Sequence, residues 1–278
     1  MVDDVGAASQ SPSRPFVRWA GSKRRLLSQI LPHLPVDYGT YIEPFLGGGS
    51  LYLALKPGRA ILNDACEPLI ETWKAIARDP EGVHEAAHRF PLEKGEYYRV
   101  RQMSGGTANE RAGRFIYLNR GAFNGLYRVN LRGGFNVPWG APKTSNIIDL
   151  SHLVAVSEAI GASSTQFRAG DFEETVDEAG AGDLVFVDPP YVTSHNNNGF
   201  VAYNEKIFSW KDQERLAAAS LRALERGAHV IVTNAHHDNI IALYRGYRLV
   251  VLERASTLAA ATSRRGRTTE VLLLGGSM

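Results

Sequence analysis

The stretch Leu184-Val-Phe-Val-Asp-Pro-Pro-Tyr191 constrains the chain more than any other. Leu184 to Val187 form an uninterrupted apolar run with two β-branched residues, which reads as a strand buried on both faces. Pro189 and Pro190 carry no backbone N–H, so the ladder must stop at Asp188. A carboxylate, two carbonyls and an aromatic ring are therefore left at the strand's carboxyl end. In open α/β sheets, that is where ligands bind.

This group of atoms suits a planar amino group. The Asp188 carboxylate and the Pro189 carbonyl are two acceptors that can hold the hydrogens of one exocyclic NH2, and Pro190 stiffens the turn. Tyr191 offers a stacking surface for the ring that carries the amino group. Two acceptors draw the nitrogen lone pair out of conjugation and make a poor nucleophile able to attack. A strand end with a proline stop and a surface Tyr is the alternative reading of these residues alone.

Three further segments resolve that choice: Phe16-Val-Arg-Trp-Ala-Gly-Ser-Lys23, Thr40-Tyr-Ile-Glu-Pro-Phe-Leu-Gly-Gly-Gly-Ser50 and Asn119-Arg-Gly-Ala-Phe-Asn-Gly-Leu-Tyr-Arg128. With Asp188-Pro-Pro-Tyr191 they resemble, in order and over residues 14 to 275, the Dam-type DNA adenine-N6 methyltransferases. The resemblance implies a catalytic set of Asp188, Pro189, Pro190 and Tyr191. It implies S-adenosylmethionine (SAM) held by Trp19, Lys23, Glu43, Pro44, Phe45, Gly47, Gly49, Ser50, Asp64, Asp171, Phe172 and Asp188. It implies contacts to double-stranded DNA from Arg18, Arg120, Phe123, Asn124, Arg128, Asn130, Arg132 and Asn136. No metal is expected. The implied reaction moves a methyl group from SAM to the N6 of a flipped adenine in a short duplex sequence. Cytosine-N4 or RNA methylation, or an idle DNA-binding protein of the same fold, are the rivals.

The chain departs from that pattern in places. Arg18 stands where Lys is frequent, Phe123 where Tyr is common, Gly121-Ala122 replace a bulkier pair, and Ala141 stands where Arg is expected. A GATC-like target is therefore only the starting expectation.

The order of elements points to an α/β fold: a Rossmann-like methyltransferase sheet with helices on both faces and an inserted, mostly helical target-recognition domain carrying a β-hairpin. Ser22 is a candidate cap for a helix from Lys23 to Leu31, stopped before Pro32. Tyr41-Ile42, the Gly47-Gly48-Gly49 turn and a helix over 50–55 form a strand–turn–helix unit. It is neither the dinucleotide fingerprint nor a P-loop. Its glycines are expected to let the backbone approach the amino-acid part of SAM. Strand 60–62 ends at Asp64, which follows Gly47 at nearly the ~20-residue interval of an acid that accepts from ribose hydroxyls. A helix over 69–78 ends at Asp79-Pro80.

Residues 69–149 break the alternation and are assigned to target recognition. The catalytic domain then comprises 14–68 and 150–278, and residues 1–13 read as a disordered polar tail. Between Lys94 and Lys143 lie nine Lys or Arg against Glu96 and Glu110, although the whole chain nets only +2. Such a segment is an electrostatic footprint for a polyanion. Within it, Asn124 suits adenine, Arg128 can fork onto guanine, and Phe123 can wedge into a stack. Each could equally serve packing or a turn. Arg132-Gly-Gly-Phe135 reads as the hairpin turn.

The later strands are expected at 165–168, 229–232, 247–252 and 270–274, with Ser209-Trp-Lys-Asp212 capping a helix to Glu225. Residues 192–203 read as a loop over the site, and Arg264, Arg265 and Arg267 as phosphate contacts or a solvated loop. His236-His237 lack the spacing of a metal site. Cys66 alone permits no intrachain disulfide, no apolar run reaches the ~20 residues of a membrane span, and the N-terminus lacks a secretion signal. A cytoplasmic, bacterial or phage-encoded enzyme, monomeric and without membrane contact, is the expectation.

Overall fold

The computed structural model describes residues 14–130, 132–191, 208–254 and 268–276. The proposed tail 1–13, the loop 192–203 and Arg264, Arg265 and Arg267 lie outside them.

Seven strands form one sheet: β1 (Tyr41–Glu43), β2 (Arg59–Asp64), β3 (Ser164–Ala169), β4 (Leu184–Val187), β5 (His229–Ala235), β6 (Arg248–Arg254) and β7 (Thr268–Gly275). Their order is β3-β2-β1-β4-β5-β7-β6. The first five are parallel, with Ile42 beside both Ile61 and Val185, and Val185 beside Val230. β7 enters antiparallel between β5 and β6, with Val232 opposite Leu273. This is the Rossmann-like α/β fold expected from the sequence. The order reverses between β1 and β4, which places a crevice at the carboxyl ends of those two strands.

Alternation along β4 explains its unbroken apolar run. Leu184 and Phe186 enter one core with Tyr41, Tyr52, Trp73 and Ile231. Val185 and Val187 enter the other with Ile42, Val230 and Val232. Both faces are therefore covered. The first carries α1 (Leu27–Ile30), α2 (Ser50–Leu55), α3 (Glu67–Arg78) and α7 (Leu150–Gly161); the second carries α8 (Phe172–Asp177), α9 (Trp210–Glu225) and α10 (Asp238–Leu243).

Several boundaries follow from local chemistry. Asp79 ends α3, and its side chain then accepts from Gly82 N to start α4 (Pro80–His88). After α5 (Lys94–Arg101), the Thr107–Glu110 capping box starts α6 (Ala108–Gly121). Ser209 and Asp212 form the expected box on α9. These reciprocal bonds satisfy amide groups that a helix start leaves open.

Two expectations need correction. Lys23 to His33 is not one helix but a 3-10 turn (Lys23–Leu26), a single turn of α-helix, and a second 3-10 turn (Leu31–His33) that includes Pro32. Pro32 is tolerated because it falls in a first turn, where its missing N–H is not needed. Ser22 makes no cap; its hydroxyl bonds to that of Ser50 at 2.9 Å. The hairpin is also smaller than expected. Among the described residues, antiparallel pairing here consists of isolated bridges, Val129 opposite Phe135 and Ala122 opposite Trp139, the first closed by Asn130 N donating to Gly134 O at 2.8 Å.

Candidate active site

The carboxyl ends of β1, β2 and β4 bring Glu43, Asp64 and Asp188 to one side of the sheet. Asp188 is the centre of a tight cluster. Its Oδ1 lies 2.6 Å from Lys23 Nζ and accepts from the Thr233 hydroxyl at 2.7 Å. Lys23 is 4% exposed, donates to Gly21 O at 2.9 Å, and lies 3.7 Å from Glu270 Oε2 and 4.7 Å from the centre of the Tyr191 ring. The Tyr191 hydroxyl donates to Glu270 Oε2 at 2.6 Å. Behind the prolines, Gln213 Nε2 donates to Pro190 O at 3.3 Å, and Asn234 Nδ2 holds Gln213 Oε1 at 3.1 Å.

Burial pushes the Asp188 carboxyl above the usual carboxylate range, against the Lys23 ammonium and the Thr233 hydroxyl, which favour its charged form. Burial, followed by the Asp188 and Glu270 charges, raises the Tyr191 phenol far above its ordinary value, so it stays a neutral donor. Glu43 is raised strongly by burial, although the Tyr41 hydroxyl donates to its Oε2 at 2.8 Å.

The glycine turn is organised from within. Asp64 Oδ2 accepts from Gly47 N at 2.8 Å, and its Oδ1 accepts from Cys66 N at 2.9 Å. Each oxygen still has an acceptor site, so Asp64 can take ribose hydroxyls while it fixes the turn. Gly47 has φ 48°, and a Cβ there would lie 2.6 Å from Trp19 Cδ1. The absent side chain thus admits the Trp19 indole against the turn. Trp19 in turn stacks on Tyr127 at 5.7 Å, and Gly49 faces Trp73 in the same way. Ser50 opens α2 beside Ser22. Pro44 O accepts from Asn63 Nδ2 at 3.1 Å.

Phe45 stacks on Phe172 at 5.3 Å and meets Phe208 edge-on at 5.5 Å. Asp171 caps α8 through Glu173 N and pairs with Arg215 at 2.9 Å. Its position is therefore set by α9, and Arg215 also covers the Phe172 ring at 4.9 Å. Burial pushes the Cys66 thiol up to about 12, which leaves it inert beside Asp64.

The basic segment forms a second surface, joined to this site by Asn119, by Gly125 against Arg18 and by Tyr127 against Trp19. Buried Asn119 accepts from Arg18 N at 2.8 Å, and its Nδ2 donates to Arg18 O at 2.9 Å and Gly125 O at 3.0 Å. A Cβ on Gly125 would lie 2.4 Å from Arg18 Cβ, so only glycine admits this approach. The loop leading to Lys23 and the loop bearing Asn124 are thus fastened together. Asn124 holds φ 54° within a 3-10 turn over Phe123–Gly125, and Phe123 is 50% exposed. Arg128 Nε donates to Asn136 Oδ1 at 2.7 Å. Asn130 Oδ1 accepts from the backbone N–H of Arg132 and Gly134, so it shapes the turn. Arg120 Nε donates to Asn146 O at 3.0 Å. Burial and the neighbouring Arg18 charge hold its guanidinium below the usual arginine range.

Lys23, expected among the cofactor contacts, is the ion partner of Asp188. The sequence alone did not single out Thr233, Gln213, Asn234, Glu270 or Asn119 as site residues. The available signals were Glu270 directly before the apolar run Val271 to Leu274, and the polar Thr233-Asn234 near the end of another strand.

Residues 19–258 match the family model described as D12 class N6 adenine-specific DNA methyltransferase, and the chain belongs to that family. Among its relatives is the type II methyltransferase M1.LlaDCHI of Lactococcus lactis subsp. cremoris, 35% identical over 271 residues and 94% of each chain. The DNA adenine methylase of Vibrio cholerae serotype O1 is 33% identical, covering 94% of this chain and 95% of its own. That of Escherichia coli strain K12 is 32% identical over 94% and 95%. The protein is an adenine-specific DNA methyltransferase, and membership implies SAM as methyl donor and DNA as substrate.

Proposed function

We propose that Asp188, Pro189, Pro190 and Tyr191 form the methyl-transfer centre and that residues 69–149 read a short duplex sequence. The carrying observation is the Asp188 cluster: Lys23 and Thr233 both engage Oδ1, which fixes the carboxylate and turns Oδ2 to the target amino group. The adenine leaves the stack, because its N6 cannot meet the methyl donor inside the duplex. Tyr191 stacks on the flipped ring. Asp188 Oδ2 and the Pro189 carbonyl accept from the two N6 hydrogens, so the nitrogen lone pair is free to attack.

The donor set fits SAM. When bound, SAM supplies a methyl group on a sulfonium, an electrophile attacked in line. Asp64 and Asp188 place carboxylates at the strand ends, which suits a cationic cofactor, while Glu43 stays protonated beside the Tyr41 hydroxyl. Asp64 takes the ribose hydroxyls, and the Phe45–Phe172 wall, clamped by Arg215 and Asp171, takes the adenine ring. Trp19, Pro44, Gly47, Gly49 and Ser50 shape the amino-acid end. Lys23 acts there through Asp188.

Arg18 and Arg120, whose charges repel each other with Asp149 partly offsetting this at Arg120, contact DNA phosphates. Phe123 wedges into the stack, while Asn124 and Arg128 read bases. Asn130 and Asn136 hold Arg132 and Arg128 in place. We take the enzyme to act as a monomer in the cytoplasm on a GATC-like site.

The test uses radiolabelled SAM with adenine-containing duplex DNA, cytosine-only duplex and RNA, followed by methylation sequencing. Label on duplex adenine that disappears with Asp188→Asn supports the assignment. Label on cytosine or RNA, or full activity of the variant, refutes it.

A further inference from the structure

Glu270 is out of character for its strand. β7 continues as Val271-Leu272-Leu273-Leu274, all buried, yet Glu270 is itself only 4% exposed. A carboxylate in such a place is costly unless charge and hydrogen bonds compensate it. Here two groups do. The Tyr191 hydroxyl donates to Oε2 at 2.6 Å, and Lys23 Nζ lies 3.7 Å from the same oxygen.

These contacts hold Tyr191 at its hydroxyl and over one face of its ring. Glu270 fixes the hydroxyl, and Lys23 covers the ring at 4.7 Å while paired with Asp188 at 2.6 Å. Tyr191 otherwise sits just beyond a strand end that Pro189 and Pro190 deprive of ladder bonds. Its orientation therefore depends on β7, the strand that runs against the rest. A hydroxyl committed to a carboxylate also cannot donate to a base, which leaves the ring face as the part of Tyr191 offered to it.

We propose that Glu270 is a positioning residue for methyl transfer, holding the Tyr191 ring in the plane that receives the target adenine and Lys23 against Asp188. The inference rests on the reading that Tyr191 stacks on the flipped base.

The experiment uses the full chain with duplex DNA carrying its target, measuring the single-turnover methylation rate. A second readout is the fluorescence of 2-aminopurine at the target position, which stacking quenches. Thermal melting and SAM calorimetry check each variant's fold. Tyr191→Phe and Glu270→Ala should each lower the rate by about 10–100-fold, the loss expected for a hydrogen bond to a charged group. Both should raise the fluorescence toward that of Tyr191→Ala. Tyr191→Phe added to Glu270→Ala should cost nothing more, because both remove one bond. Glu270→Gln keeps an acceptor for the hydroxyl and should stay nearer wild type than Glu270→Ala. Where Glu270→Ala does not fold, Glu270→Gln and Tyr191→Phe carry the test. Additive losses, or a wild-type rate for Tyr191→Phe, overturn the inference. Wild-type rate and quenching in Tyr191→Ala would instead sink the stacking reading itself. Impairment in Tyr191→Ala alone would keep that reading and discard the role of Glu270.

Discussion

Lys23 Nζ lies 2.6 Å from Asp188 Oδ1, with both side chains largely withdrawn from water. The pair joins a short 3-10 turn near the start of the described chain to the end of the central strand. It changes what each residue is expected to do. Asp188 is not a loose strand-end carboxylate, and Lys23 is not a solvated cation awaiting a ligand.

The first prediction concerns Asp188→Asn. The substitution keeps the shape but leaves Lys23 with Glu270 as its remaining carboxylate. Methyl transfer should fall by roughly 10²–10³-fold, as when one preorganised electrostatic contact is removed. Stability should also drop, by about 1–3 kcal/mol, because a buried cation loses its nearest partner. Single-turnover rates and denaturant unfolding measure the two effects. An active variant would remove Asp188 from the chemistry.

Asp64 is expected to act on both cofactor and fold. Asp64→Ala strips the acceptor from Gly47 N and Cys66 N together. SAM affinity should weaken by about 1.5–3 kcal/mol, with a lower melting temperature even without SAM. Calorimetry and thermal melting together decide between roles. A lower melting point with unchanged SAM affinity would make Asp64 purely structural.

Arg128 and Arg132 separate base reading from backbone holding. Arg128→Ala should relax preference at one base pair, by ~1–3 kcal/mol of lost discrimination. Asn136→Ala should do the same more weakly, since Asn136 Oδ1 orients the Arg128 guanidinium. Arg132→Ala should weaken all duplexes alike and reduce the salt slope by about one. Methylation sequencing and binding at several salt concentrations test this; a full site preference in Arg128→Ala moves base reading to other residues.

Glu43 sets a pH dependence of stability. Its folded value is raised by burial, so the native state holds a proton that the unfolded chain releases above the ordinary glutamate range. That contribution is complete below the unfolded value and is lost as pH rises through the folded one. The loss is about 1.4 kcal/mol per pH unit across the interval. Glu43→Gln preserves an acceptor for the Tyr41 hydroxyl and should flatten this part of the curve. Denaturant unfolding from pH 4 upward checks it; parallel curves for the two proteins would refute the assignment.

The local arrangements were legible because short-range chemistry fixes them. A doubly buried run ended by two prolines makes a strand with a carboxylate at its tip. Ser209 with Asp212, and Asp79 before Pro80, place helix ends through bonds spanning only a few residues. The run of parallel strands followed from the order of such elements and their resemblance to one family. What only the tertiary structure decided were the partners. Nothing near Asp188 in sequence announces Lys23 or Thr233, and nothing near Tyr191 announces Glu270. The indoles of Trp19 and Trp73 against Gly47 and Gly49 are likewise contacts between distant parts of the chain. Burial removes competing water, so a buried charge must find its counterpart wherever the chain crossing supplies one. Crossings such as β7 beside β5 belong to topology, and residue spacing along the chain does not encode them.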